Sequence, residues 1–275
     1  MGLRINTNVD SLNAQRNLVN TTNQLGRSLA RLSSGLRIVR AADDAAGLAI
    51  SERFRAEVRS LGQAQRNALD GVSFLQTAEG ALDETSGNLV RLRELAIQAA
   101  NGTLGDGERA TLNAEFQDLV AEISRVANVT EFNGTAILNN TSTTLTFQIG
   151  SNNTSNDQIS VSSVDATAAG IGVSGLSIST ASAAKGVLSA LDSAINAVAS
   201  LRGTFGTVQN RLESAIRSLG VSIENTSAAE SRIRDVDVAA ETAILTRNQV
   251  LQQAGIAVLA QANITTQSAL SLLQR

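Results

Sequence analysis

LQTAEGALDETSGNLVRLRELAIQA, residues 75–99, decides how this chain folds. Leu75, Leu82, Leu89 and Ala96 recur every seven residues, and Ala78, Thr85, Leu92 and Ala99 form the complementary line. A seven-residue repeat keeps one stripe of an α-helix turned toward a neighbouring helix, which is coiled-coil geometry. The 275 residues include no Pro, and Pro inside a helix costs about 3 kcal/mol, so long helices run uninterrupted. The helical pattern begins after the polar stretch Arg37 to Asp44 and ends near Ala100, where Asn101-Gly102 is a good stop.

Beyond that stop, Asp106 is expected to cap a further helix with apolar positions Leu112, Phe116, Leu119, Ile123 and Val126. After Asn128 the chain turns rich in Asn, Ser, Thr and Gly. Two alternating stretches, Thr144–Ile149 and Gln158–Val161, read as a β-hairpin across the loop Gly150–Asp157. From Ser182 the helical pattern returns. Val187, Leu191, Ala194, Val198, Leu201, Phe205, Val208, Leu212, Ala215 and Leu219 alternate steps of four and three. At about 1.5 Å per residue, Val187 to Ile233 spans roughly 70 Å as one helix.

Both chain ends carry the same kind of pattern, although termini normally fray. Ile244, Leu251, Val258, Thr265 and Leu272 form a heptad line at the C-terminal end. At the N-terminal end Leu18, Leu25 and Leu32 do so, with Thr22, Leu29 and Leu36 running alongside four residues later. Thr7 or Asn8 can cap this first helix, and Ser33-Ser34-Gly35 ends it. The expected fold is mainly α: a long coiled-coil-like helical bundle of N- and C-terminal segments, with a small β-hairpin region at the far tip. The expected divisions are 1–45 with 235–275, 46–130 with 182–234, and 131–181.

Composition excludes much chemistry. The chain has no His, Cys, Pro, Trp or Tyr, and aromatics make up 2%. General acid–base work falls to carboxylates, Lys185 and Arg, a poor set at neutral pH, and metal sites built on His or Cys are excluded. Asp43-Asp44 is the one conspicuous acidic pair; adjacent helical residues diverge by about 100°, so it reads as a helix N-terminus favoured by negative charge. The expectation is no enzyme, no metal and no cofactor. A net charge of −3 argues against nucleic acid, and no apolar run reaches the roughly 18 residues of a membrane span. The N-terminus lacks the apolar region of a cleavable secretory signal.

Five segments carry a family resemblance: Leu32–Ser51 (LSSGLRIVRAADDAAGLAIS), Leu89–Thr103 (LVRLRELAIQAANGT), Glu131–Leu138 (EFNGTAIL), Ser227–Glu241 (SAAESRIRDVDVAAE) and Gln249–Leu273 (QVLQQAGIAVLAQANITTQSALSLL). In this order they resemble a bacterial flagellin over roughly Met1–Leu138 and Ser182–Arg275, in a near-minimal form with only Asn139–Ala181 in the variable middle. The resemblance implies a secreted structural subunit of the flagellar filament, extracellular and serving motility. It implies self-assembly into a helical homopolymer. It also implies export through the flagellar type III apparatus with an export chaperone, and contact with filament cap and junction proteins. It puts the terminal helices in an inner tube, with Ser34–Ala46 and Arg234–Asp237 as connecting spokes. Val39 and Val238 depart from the family, which commonly has a polar residue and an aromatic there.

The filament-packing residues expected from the terminal heptads are Leu18, Leu25, Leu29, Leu32, Ile244, Leu251, Val258 and Leu272. By resemblance, a host Toll-like receptor that senses flagellins would read Arg91, Leu95 and Glu115 on an exposed face of the long helices. The alternative reading is a hook–filament junction protein, which shares the terminal helices; RELAIQAANG and AGIAVLAQAN favour flagellin. A chemoreceptor hairpin would need a membrane segment and a tight tip that this chain lacks.

Overall fold

A computed structural model of the chain describes residues 7–140 and 143–273, with side chains to residue 264. Among the described residues the elements are α1 (Val9–Ser34), α2 (Ala45–Ala99), α3 (Asp106–Val129), β1 (Glu131–Phe132), β2 (Thr135–Ala136), β3 (Thr144–Gln148), β4 (Gln158–Ser162), α4 (Ala181–Arg234) and α5 (Val238–Leu273). The chain forms two compact units. One comprises the chain up to Ala56 together with Asn225 onward; the other is Glu57–Glu224.

The Glu57–Glu224 unit is organised by the heptads. On α2 the buried line Leu61, Ala64, Ala68, Gly71, Leu75, Ala78, Leu82, Thr85, Leu89, Leu92, Ala96 and Ala99 steps by three and four. From Ala68 onward it meets Ala184, Val187, Leu191, Ala194, Val198, Phe205, Val208 and Leu212 of α4 in one hydrophobic cluster, while Leu61 and Ala64 form a second, smaller one with Leu219. The antiparallel pairing is fixed at its rim by Arg93 with Asp192 at 2.7 Å and Arg202 with Asp83 at 2.9 Å. Thr85 fits this apolar line because its hydroxyl donates to the Ala81 carbonyl at 2.9 Å, which satisfies it locally.

Helix α3 packs on the same cluster through Phe116, Val120, Ile123 and Ala127, with Leu112 and Leu119 at its margin. Its start differs in detail from the expectation. Gly105 occupies the cap position without a side-chain bond, and Asp106 is the first helical residue. Asp106 instead accepts from Arg109 Nη1 at 3.2 Å. Arg109 is buried, and donates through Nε to Ala99 O at 3.0 Å and through Nη2 to Asn101 O at 3.1 Å. One guanidinium thereby satisfies carbonyls at the end of α2 and holds the turn into α3.

The hairpin expected over 144–161 is present, with Leu145 opposite Val161 and Phe147 opposite Ile159. Its seat is more specific than chain order implies. It packs on the flank of α2, where a Cβ on Gly71 would lie 3.2 Å from the Phe147 ring and 3.1 Å from Leu212. Asn67 Nδ2 also donates to Gln148 O at 3.1 Å. A second hairpin, β1–β2, turns at Asn133 (φ 51°) and Gly134 (φ 75°), the left-handed pair that a tight two-residue turn requires. The polar segment after α3 still supplies core: Ile137, Leu138, Ile159, Val161, Ala166 and Ile178 belong to the α2–α4 cluster.

Candidate functional site

In the unit formed by the chain ends, α1 and α5 run antiparallel. Asn8 Nδ2 donates to Ala262 O at 2.9 Å, Ser11 Oγ to Asn263 Oδ1 at 3.1 Å, and Gln252 Nε2 to Thr22 Oγ1 at 3.5 Å. Arg31 stands 3.7 Å from Glu241 at the other end of the pair. Asn8 is the N-cap of α1, accepting from Ser11 N at 3.0 Å, and Gly35 ends that helix in the left-handed conformation at φ 71°.

The line between these two helices mixes leucines with small and polar residues. On α1 the buried residues are Ser11, Ala14 and Ser28, with Leu18, Thr21, Leu25 and Leu32 half-buried. On α5 the inward line is Glu241, Leu245, Asn248, Gln252, Gly255, Leu259 and Ala262, stepping by four and three. Among the described residues no member of α1 or α5 belongs to either hydrophobic cluster. The large apolar residues face out instead: Val9, Leu12, Val19 and Leu29 on α1, and Ile244, Val250, Leu251, Ile256, Val258 and Ile264 on α5. The pair thus buries leucines together with small and polar residues and leaves a second set of large apolar residues uncovered, which water alone does not select.

This places the expected packing residues. Leu18, Leu25 and Leu32 lie between α1 and α5, while Leu29, Ile244, Leu251 and Val258 lie outside, the last 59% exposed. The line that accompanies the first against α5 is Ala14/Thr21/Ser28, three residues after it, while Thr22 and Leu29 are exposed. Small side chains there permit the close approach seen where a Cβ on Gly255 would lie 3.4 Å from Leu18. Leu272 falls beyond the residues whose side chains are described, as does Thr265. The inward line of α5 was hidden in the sequence because its 4–3 spacing runs through Glu, Asn, Gln and Gly.

The two polar connectors are hydrogen-bonded to each other as a short antiparallel bridge, Leu36 to Asp235. Arg37 N donates to Arg234 O at 2.7 Å and Val236 N to Gly35 O at 3.0 Å. Arg234 Nη1 donates to Glu52 Oε1 at 2.6 Å. The acidic pair divides its work. Asp44 accepts from Gly47 N at 2.8 Å and so caps α2, while Asp43 accepts from Val39 N at 3.2 Å and Arg40 N at 3.0 Å. The Arg40 hydrogen bond is the largest influence holding the Asp43 carboxyl below its ordinary value. Asp237 caps α5 by accepting from Ala239 N and Ala240 N. Val39 and Val238, the two family departures, are both exposed.

Arg91 and Glu115 are exposed and joined across α2 and α3, with Nη2 2.7 Å and Nε 3.0 Å from Glu115 Oε1. That bond, with a second to Glu94, raises the Arg91 pKa. Leu95 does not share their exposed face: it is fully buried in the core cluster. A step of four from Arg91 carries it round to the side already occupied by Leu92 and Ala96. Among the described residues no group of metal-ligating side chains could hold an ion, and no helix is long and apolar enough to cross a membrane.

The family model described as the bacterial flagellin N-terminal helical region matches residues 5–143, and that of the bacterial flagellin C-terminal helical region matches 188–273. The chain is 46% identical to a flagellin of Halalkalibacterium halodurans, covering 98% of this chain and 99% of that one. It is 42% identical to a flagellin of Bacillus subtilis, over 99% and 100%. The crystal structure of Bacillus cereus flagellin aligns at a TM-score of 0.51 and 31% identity, over 56% of this chain and 88% of that one. With its paired terminal helices, heptad-built long helices and small hairpins, this chain belongs to the bacterial flagellin family.

Proposed function

We propose that the α1–α5 pair is the surface through which this structural subunit of the helical flagellar filament packs against other copies of itself. As a flagellin, the chain is a building block of the filament that drives swimming. The observation that supports the reading is the uncovered apolar line: Leu29, Ile244, Leu251 and Val258 are exposed while Ser11, Ser28 and Asn248 take buried positions between the helices. Exposed leucine, isoleucine and valine at heptad spacing lose roughly 25 cal/mol per Å² of unburied apolar surface, which neighbouring copies recover on assembly. An open, repeating interface of this kind generates a helical polymer rather than a closed ring.

The finer parts of the reading rest on family membership. Residues 1–45 and 235–275 form the inner core of the filament and 46–130 with 182–234 the outer core, while 131–181 supplies the small β region. The chain reaches the extracellular filament through the flagellar type III apparatus with an export chaperone, and meets the cap and junction proteins there. It carries out no catalytic step, in keeping with a sequence that lacks His, Cys and Tyr. Recognition by a host Toll-like receptor rests on the exposed Arg91–Glu115 pair, with Leu95 acting from beneath as core support.

Removing residues before Ser34 and after Asp237 tests the assembly surface. The remainder retains the whole α2–α4 cluster, so a helical, soluble monomer that no longer elongates seeds is expected. Normal filaments from the truncated chain would refute the reading.

A further inference from the structure

The tripeptide Asn-Gly-Thr occurs twice, at 101–103 and at 133–135, and nowhere else does Gly follow Asn. Asparagine is chemically labile, most of all before glycine, where no Cβ shields the following peptide nitrogen. With identical local sequence, the fold alone sets the two copies apart.

Asn133-Gly134-Thr135 is locked. Asn133 at φ 51° and Gly134 at φ 75° make the turn between strands paired at Phe132–Thr135 and Glu131–Ala136. Swinging the Gly134 nitrogen onto the Asn133 amide would break that ladder. Asn101-Gly102-Thr103 is exposed and lies outside any strand. Gly102 is not in the left-handed region, and a Cβ on it would meet nothing within 4 Å, so the fold does not require glycine there. Among the described residues its N–H makes no hydrogen bond. The oxygens on either side of that nitrogen are held instead. Thr103 N donates to Asn101 Oδ1 at 3.3 Å, which folds the side-chain amide back over the Gly102 peptide. Arg109 Nη2 donates to Asn101 O at 3.1 Å, from a side chain that is 10% exposed.

We propose that Asn101 is a site of self-modification, deamidated through a succinimide that its own turn activates. Gly102 N gives its proton to solvent hydroxide and attacks Asn101 Cγ. The new N–Cγ bond closes a cyclic imide as Nδ2 takes a proton from water and leaves as ammonia. Arg109 binds the carbonyl oxygen of the peptide that must become anionic, so that N–H is easier to remove. Thr103 N–H meets Oδ1, where negative charge develops during the attack. Water then opens the ring. Addition at Cγ gives aspartate; addition at the former main-chain carbonyl gives isoaspartate, whose free carboxylate keeps the oxygen Arg109 already holds. The carboxylate partner Arg109 has at the outset, Asp106, is 98% exposed, so the new charge is paired with the guanidinium and the turn keeps its anchor.

The test holds the full-length chain at mildly alkaline pH, folded and in urea. Peptide mapping, with methylation by an isoaspartate methyltransferase, follows both Asn-Gly sites. In urea the two should react at similar rates. In the folded chain Asn101 should react several-fold faster than in urea, and Asn133 about tenfold slower. Gly102→Ala should melt with the wild type yet slow Asn101 by about tenfold, with Asn133 unchanged. Arg109→Lys should lower the folded Asn101 rate, because an ammonium does not reproduce the guanidinium contact; a merely structural Arg109 would leave that rate unchanged or raise it as the turn loosens. An Asn101 that reacts no faster folded than unfolded would overturn activation by the turn. Equal Asn101 rates in wild type and Gly102→Ala would overturn the succinimide route, and an undiminished rate in Arg109→Lys would overturn the part given to the cation.

Discussion

The Arg37 guanidinium closes on the backbone carbonyl of Ile233, 3.1 Å from Nε and 2.7 Å from Nη2, across 196 residues of sequence. It caps the last turn of α4 with a cation, where the helix dipole favours one, and it ties the two polar connectors together. Arg37→Ala should therefore destabilise the unit formed by the chain ends by about 1 kcal/mol. Faster hydrogen exchange at Val236 N, which donates to Gly35 O in the same bridge, would report it; exchange at the wild-type rate would contradict the role.

Leu89 and Leu251 are chemically identical residues on heptad lines with opposite exposure, 0% and 50%. Leu89→Ala should cost the monomer about 2–5 kcal/mol in chemical denaturation, the usual penalty for a cavity in a packed core. Leu251→Ala should leave monomer stability within about 0.5 kcal/mol and slow filament growth instead. Equal effects on monomer stability would mean the two lines do not differ in the way described.

Arg109→Ala removes three hydrogen bonds at the α2–α3 turn and leaves the Ala99 carbonyl unmet. A loss of about 2–3 kcal/mol in thermal or denaturant unfolding is expected, because the bonds are charge-assisted and the side chain is nearly buried. Arg109→Lys should recover only part, since a point charge cannot reach Ala99 and Asn101 together.

Acid should loosen the first connector. The Asp43 pKa is lowered from its ordinary 3.8, chiefly by the hydrogen bond from Arg40 N. A carboxyl depressed on folding contributes stability that is complete above its unfolded value and is lost as pH falls through the lower folded value. Carboxyl-carbon NMR should find Asp43 titrating below 3.8, and Asp43→Asn should remove that part of the acid sensitivity. An Asp43 midpoint at or above 3.8 would show that the turn does not hold the charged form.

The long helices of the Glu57–Glu224 unit were legible because their apolar period is carried by Leu, Ala and Val, and Thr85 could follow it by bonding to its own helix. The β3–β4 hairpin was legible from alternation. The β1–β2 hairpin was not recognised, although Asn133-Gly134 is the strongest short-range signal for such a turn; its strands are two residues long, too short to show a period. The face α1 and α5 turn to each other was only half legible. Leu18, Leu25 and Leu32 lie on it, but its other members include Ser28, Glu241 and Asn248, whose polarity hides the period, while Leu29, Ile244, Leu251 and Val258 lie on the outer surface. Leu95 differs for another reason: the resemblance puts it on an exposed face with Arg91, but a helix with buried residues at 89, 92, 95, 96 and 99 has a core face broad enough to include it.

The absence of cysteine from the chain makes the central claim directly measurable. Leu251→Cys should react quickly with a maleimide dye in the free subunit and be strongly protected in intact filaments. Ser151→Cys, on the exposed loop between β3 and β4, should label in both states. Part of the loop-rich stretch 140–157, residues 141–142, lies outside the described residues, and the probe at 151 avoids it. Protection at 251 with free labelling at 151 is the result an assembly surface on the exposed apolar line of α5 requires; equal labelling of 251 in monomer and filament would contradict it.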